Sequence, residues 1–189
     1  MRGTASGSVL CKNGVAPCTA KYPKGTKIHA ILQSGTELVK TNDEKTKVID
    51  TCQLSTLELQ TTNEGSSTEA VAASLLVWTL TNCHWPNAIE ILGSTEFDYD
   101  SKTGTTVVTG KSTRITENVN FILHCHYSFG TGTTLGTLTQ PATALSDTTF
   151  HMNATIKRLA GSNEACPAST VWQATYTVTS PIPLYVTGS

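Results

Sequence analysis

Apolar and polar residues alternate with a period of two along most of this chain. Leu57 and Leu59 alternate with Thr56, Glu58 and Gln60, and Leu76, Trp78 and Leu80 alternate with Val77, Thr79 and Thr81. Phe121, Leu123, Cys125 and Tyr127 are separated by Ile122, His124 and His126. Phe150, Met152, Ala154 and Ile156 are separated by His151, Asn153 and Thr155. Trp172, Ala174, Tyr176 and Val178 alternate with Gln173, Thr175, Thr177 and Thr179. Side chains on a strand point to opposite faces in turn, so each run predicts a strand with one apolar and one polar face. Helical periodicity is nearly absent. Several such strands joined by turns predict an all-β fold, an antiparallel β-sandwich or barrel.

The intervening segments supply the turns. Residues 98–104 (DYDSKTG) predict a hairpin loop, with Asp100 bonding the backbone ahead and Gly104 free to take positive φ. Residues 130–136 (GTGTTLG) predict a loop or a glycine-kinked strand edge. Residues 63–67 (NEGSS) predict a disordered loop tip, and residues 68–74 at most one helical turn. One domain over residues 9–186 is expected, with a vector-derived or disordered tail at 1–8 and a short tail at 187–189. A weak internal duplication would relate residues 46–92 to 113–180.

Composition narrows the classes. The chain has 189 residues, 13 Lys plus Arg, 14 Asp plus Glu and a net charge of −1. Without a basic excess it is not expected to bind nucleic acid. No apolar run is long enough for a membrane span, so no membrane insertion is expected. Charged residues are only 14% of the chain, and Thr and Ser take their place. Cys11, Cys18, Cys52, Cys83, Cys125 and Cys166 are even in number, widely spaced and free of any C-x-x-C pair. They predict three disulfides and a secreted, extracellular or cell-surface location. The simplest of the fifteen pairings is 11–18, 52–83 and 125–166.

Candidate chemistry is sparse. His124 and His126 flank Cys125 on one strand face, and His151 lies on the polar face of its own strand. If those strands were neighbours, three imidazoles could take Cu or Zn; otherwise no cofactor is expected. Glu90, Glu96, Asp98 and Asp100 cluster, but a solvated hairpin explains them better than a calcium or acid–base site. Trp85, in a loop with Pro86, could stack on a sugar ring with Tyr99 or Tyr22 beside it, whereas Trp78 and Trp172 belong to the core. There is no G-x-S-x-G elbow, S-x-x-K motif or P-loop, so no catalytic residue is assigned.

Four stretches together resemble a known group. They are Val9-Leu10-Cys11-Lys12 with Cys18, Tyr22-Pro23 and Gly25-Thr26; Cys52-Gln53-Leu54-Ser55-Thr56-Leu57; Leu80-Thr81-Asn82-Cys83; and Cys166-Pro167-Ala168 through Trp172-Gln173-Ala174-Thr175-Tyr176 to Ser180-Pro181-Ile182-Pro183-Leu184-Tyr185-Val186. Their order is similar to that in uncharacterised secreted, Thr-rich, β-rich proteins of actinobacteria. The resemblance implies export and β structure and no activity. His84-Trp85-Pro86-Asn87 departs from it. The expectation is a non-catalytic, structural or adhesive β domain that binds another surface protein or polysaccharide. The alternatives are a carbohydrate-binding module using Trp85 and a copper or zinc protein.

Overall fold

The computed structural model describes residues 7–14, 17–90, 93–111, 114–119, 123–130, 132–141, 143 and 146–188, without the side chains of 87–90, 111, 118 and 119. Phe121, Ile122 and the Glu90 side chain, which enter the expectations above, lie outside the described residues. The described residues contain no helix. Fourteen strands run β1 (Val9–Cys11), β2 (Lys27–Leu32), β3 (Leu38–Thr41), β4 (Val48–Thr61), β5 (Val71–Cys83), β6 (Asn87–Glu90) and β7 (Ser94–Asp100) in the first half. They continue as β8 (Thr105–Lys111), β9 (Arg114–Val119), β10 (Leu123–Ser128), β11 (Thr133–Thr139), β12 (Thr149–Arg158), β13 (Ser169–Ser180) and β14 (Tyr185–Thr187).

Eight of these strands close into an antiparallel barrel in the order β2-β4-β5-β7-β8-β11-β12-β13, and β13 returns to pair with β2. The barrel, rather than the sandwich, is therefore the architecture. Closure removes the free edges that an open sheet would expose. β3 fills the gap where β13 and β4 diverge beyond β2, pairing Lys40 with Trp172 on one side and Asp50 on the other. An arm of β10, β9 and β6 leaves the barrel at Tyr127 and Ser128, opposite Arg158 and Lys157 of β12. It folds over one barrel end, where Phe129 stacks on Trp78 at 5.8 Å. The β1–β14 ribbon covers the other end, with Leu10 and Val186 buried.

Most predicted inward faces are inward. Phe150, Met152, Ala154 and Ile156 are buried, as are Trp172, Ala174, Tyr176 and Val178. Leu76 is the exception, at 39% exposure. A β-bulge sets Leu59 opposite Leu75 and Glu58 opposite Val77, leaving Leu76 as the extra residue. One extra residue reverses the parity, so Leu75 and Trp78 both face inward although three positions apart.

Several loops and ends also differ from expectation. The 63–67 loop is knit by Asn63, whose side chain donates to the Ala70 carbonyl and accepts from the Ala72 N–H. It packs so closely that a side chain at Gly65 would meet the Ser8 carbonyl oxygen. No helical turn precedes β5. Ser8 belongs to the fold rather than to a tail: it is fully buried, donates to the Phe97 carbonyl and accepts from the Val71 N–H. Thr187 is likewise buried in β14, opposite Val9. The 98–104 hairpin is as predicted, with Asp100 accepting from the Lys102 N–H and Gly104 at φ +69°.

All three disulfides have the simplest pairing, Cys11–Cys18, Cys52–Cys83 and Cys125–Cys166. Cys52 and Cys83 are direct cross-strand partners on β4 and β5. Their bridge spans 31 residues of sequence, for which loop closure gives about 3–4 kcal/mol of stabilisation. The double variant Cys52→Ala/Cys83→Ala should lose about that much in denaturant unfolding. A loss under about 1 kcal/mol would contradict a staple acting on the unfolded chain.

Candidate functional site

Two features of the interior set this barrel apart from a filled one. The first is a cavity of about 70 Å³ on its axis. All eight barrel strands contribute to its wall, among them Ala30 of β2, Leu57 of β4, Trp78 of β5, Phe97 of β7, Val108 of β8, Leu135 of β11, Met152 of β12 and Val178 of β13. Leu184 stands at the ribbon end and Phe129 at the arm end. The period-two pattern explains this wall, because each strand sends its apolar face inward. Ser94 and Thr95 alone among the lining residues bring side-chain hydroxyls, and the Thr95 hydroxyl donates to the Ala73 carbonyl. An apolar space of this kind leaves its lining without partners on one side, costing about 1–2 kcal/mol.

The second feature lies behind Trp78. Trp172 tilts against Trp78 at 5.6 Å, and the Lys40 ammonium sits over the Trp172 ring, 4.4 Å from its centroid. Lys40 Nζ is 2.9 Å from Glu117 Oε1 and 3.5 Å from Asp50 Oδ2. The side chains of Lys40 and Asp50 are 0% exposed and that of Glu117 is 3% exposed. The other Asp50 oxygen, Oδ1, accepts from the backbone N–H groups of Thr51, His84 and Trp85 at 2.8, 3.0 and 3.4 Å. Burial pushes the Glu117 carboxyl above its ordinary range, opposed by Lys40 and reinforced by a hydrogen bond with Asp50. The sequence reading missed this trio. Its signal was parity: Lys40 shares a face with Leu38, Asp50 with Cys52, and Glu117 with Ile115.

The residues singled out from sequence fall elsewhere. His124 and His126 share the outer face of β10, and His126 Nδ1 is 2.8 Å from Thr116 Oγ1. Burial, then repulsion from Arg114 and His124, lowers the His126 pKa. His151 does not join them. It lies on the barrel exterior within 3.5 Å of hydroxyls of Thr139, Thr149 and Thr175. β10 meets β12 only at Lys157 and Arg158, and the seven residues from His151 to Arg158 are about 23 Å of strand. The assumed strand adjacency fails, and the three imidazoles form no common site. Asp50, Cys52 and Cys83 are close enough for a metal, but the two sulfurs are committed to their disulfide.

Trp85 is half-buried, with its ring 4.4 Å from that of His84. Tyr99 lies beyond the Val71–Phe97 pair at the ribbon end of the barrel, whereas Trp85 follows Cys83 at the other end of β5. The length of β5 between them, from Val71 to Cys83, is itself about 40 Å of strand, so they make no shared platform. Tyr22 donates to the Pro183 carbonyl and packs on the core. Asp98 accepts from the Thr109 hydroxyl at 3.4 Å, consistent with a hairpin role.

Tyr176 connects the two features. Its hydroxyl is 2.7 Å from Ser55 Oγ and accepts from Trp78 Nε1 at 3.2 Å. Burial pushes its pKa up to about 12, against the lowering effect of those two hydrogen bonds. A raised phenol pKa favours the folded state below the unfolded value of 10.0, and that contribution is lost as pH climbs to about 12. Tyr176 should therefore contribute a fall of about 3 kcal/mol across this window, beside a fall of the same sign from Tyr127, whose pKa burial also pushes up to about 12. Tyr176→Phe should make the fall shallower, leaving the part that Tyr127 contributes, while losing about 1–3 kcal/mol at neutral pH because Ser55 and Trp78 lose their partner. Ultraviolet titration showing every tyrosine ionising near pH 10 would contradict this. No family model matches the chain, and no curated protein and no solved structure matches it.

Proposed function

We propose that this is an extracellular, non-catalytic β-barrel module that binds a small apolar molecule, or the end of a hydrocarbon chain, inside the barrel. The observation that carries the reading is the axial cavity walled by apolar side chains from all eight strands. Eight-stranded barrels are wide enough either to be filled by their own side chains or to hold one small ligand. Here filling is incomplete, and the uncovered surface is apolar. A ligand that replaces the missing contacts gains dispersion and area burial without desolvating any charge. The cavity has room for only a few heavy atoms, so a slender aliphatic group fits better than a ring system. Extracellular location is supported by three disulfides, which form and persist in oxidising compartments.

A structural or adhesive role is the second reading. It is favoured by the cross-strand staple between Cys52 and Cys83 and by the Thr-bearing exterior around His151. On this reading the partner is another surface protein or a polysaccharide that meets the outer wall.

The two readings separate in a thermal-shift experiment with short n-alkanols from butanol to octanol. A ligand that binds only the folded state raises Tm in proportion to ln(1 + [L]/Kd). Wild type should show a saturable rise with an optimum chain length. Ala30→Leu, which fills the cavity from β2, should be more stable without alkanol and blind to it. If wild type shows no saturable rise and Ala30→Leu is simply more stable, the void is a packing defect and the structural reading stands.

A further inference from the structure

We propose that the Lys40 side chain becomes joined to Asp50 by an amide bond, with Glu117 as the proton carrier. This inference is independent of what the cavity binds.

The arrangement supplies each requirement of acyl transfer. Lys40 and Asp50 are direct cross-strand partners on β3 and β4, with both side chains wholly out of water. Lys40 Nζ is 3.5 Å from Asp50 Oδ2, and the carboxyl carbon is one bond further on. Reacting groups held this close gain much of what a bimolecular reaction spends on encounter. Asp50 Oδ1 already points at three backbone N–H groups, those of Thr51, His84 and Trp85. Such donors stabilise the negative oxygen of a tetrahedral intermediate. Glu117 Oε1 lies 2.9 Å from the nitrogen.

The step balances without an oxidant or reductant. A proton passes from the ammonium to the Asp50 carboxylate, leaving an amine and an acid. The nitrogen attacks Cγ while one of its protons goes to Glu117. Glu117 returns that proton to the Oδ2 hydroxyl, the C–O bond breaks, and water departs as the C–N bond is complete. In water the separated ions would be favoured. Here both ions are buried at a large desolvation cost, and the amide removes that pair of charges. Asp50 rather than Glu117 is the acylating group because, among the described residues, Asp50 has the triple N–H cradle. With the Cys52–Cys83 bridge two residues away, the amide would tie β3, β4 and β5 side to side.

Intact mass of the reduced, denatured full-length chain tests this directly. Wild type should be 18 Da lighter than its sequence. Tandem mass spectra should place the loss between the peptides carrying Lys40 and Asp50, with trypsin no longer cutting after Lys40. Asp50→Asn should lose 17 Da, since ammonia leaves instead of water. Lys40→Arg and Glu117→Gln should have full mass. Full mass in folded wild type after incubation at neutral pH overturns the proposal. So does an 18 Da loss mapped to Lys40–Glu117 or to a cyclised aspartate. Because wild type carries the primary readout, a variant that fails to fold does not shield the proposal.

Discussion

Closure of the sheet between β13 and β2 is the constraint on which the rest of the structure depends. Tyr176 to Val178 pair with Leu32 to Ala30 there, and the barrel has no seam. Once closed, every barrel strand has a definite inside. The alternation in each strand then decides what fills the axis. A single bulge, at Leu75 and Val77, corrects the parity of β5 so that Leu75 and Trp78 both reach it. The cavity is the remainder after eight apolar faces have met. It exists because a small residue such as Ala30 shares the wall with Leu, Met and Phe.

The buried charge trio shows what the barrel end must accommodate. β3 is inserted where β13 and β4 part, so the inner side of Lys40 meets Trp172 instead of solvent. The arm carrying β9 then brings Glu117 across the open end. Three ionisable groups without water are costly unless paired, and breaking such a set strands a charge in the interior. The trio is thus a strong specifier of where the arm docks. The Asp50 cradle extends this order to the loop after β5, because the His84 and Trp85 backbones bond the same oxygen.

From Trp78 to Asp50 the interior is one continuous chain of contacts. The cavity wall includes Trp78, Trp78 tilts on Trp172, Trp172 carries Lys40, and Lys40 meets both carboxylates. Tyr176 ties Trp78 to Ser55 from the side. The polar and apolar features therefore share two indole rings. A change at one is transmitted by packing to the other, since protein interiors have little free volume to absorb it.

The sequence alone determined strand identity and facing over most of the chain, because period-two alternation is a local property that burial enforces. It showed Trp78 and Trp172 as core, residues 98–104 as a hairpin, and six cysteines as three bridges in their simplest pairing. Tertiary structure decided what depends on neighbours distant in sequence. Barrel or sandwich turned on whether β13 meets β2. His151 parted from His124 and His126 because β12 touches β10 only at its far end, and Trp85 parted from Tyr99 because they lie at opposite ends of the barrel. Lys40, Asp50 and Glu117 each stood on an apolar face by parity. No local rule could bring β3, β4 and β9 together, because such contacts arise only when the arm folds over the closed barrel.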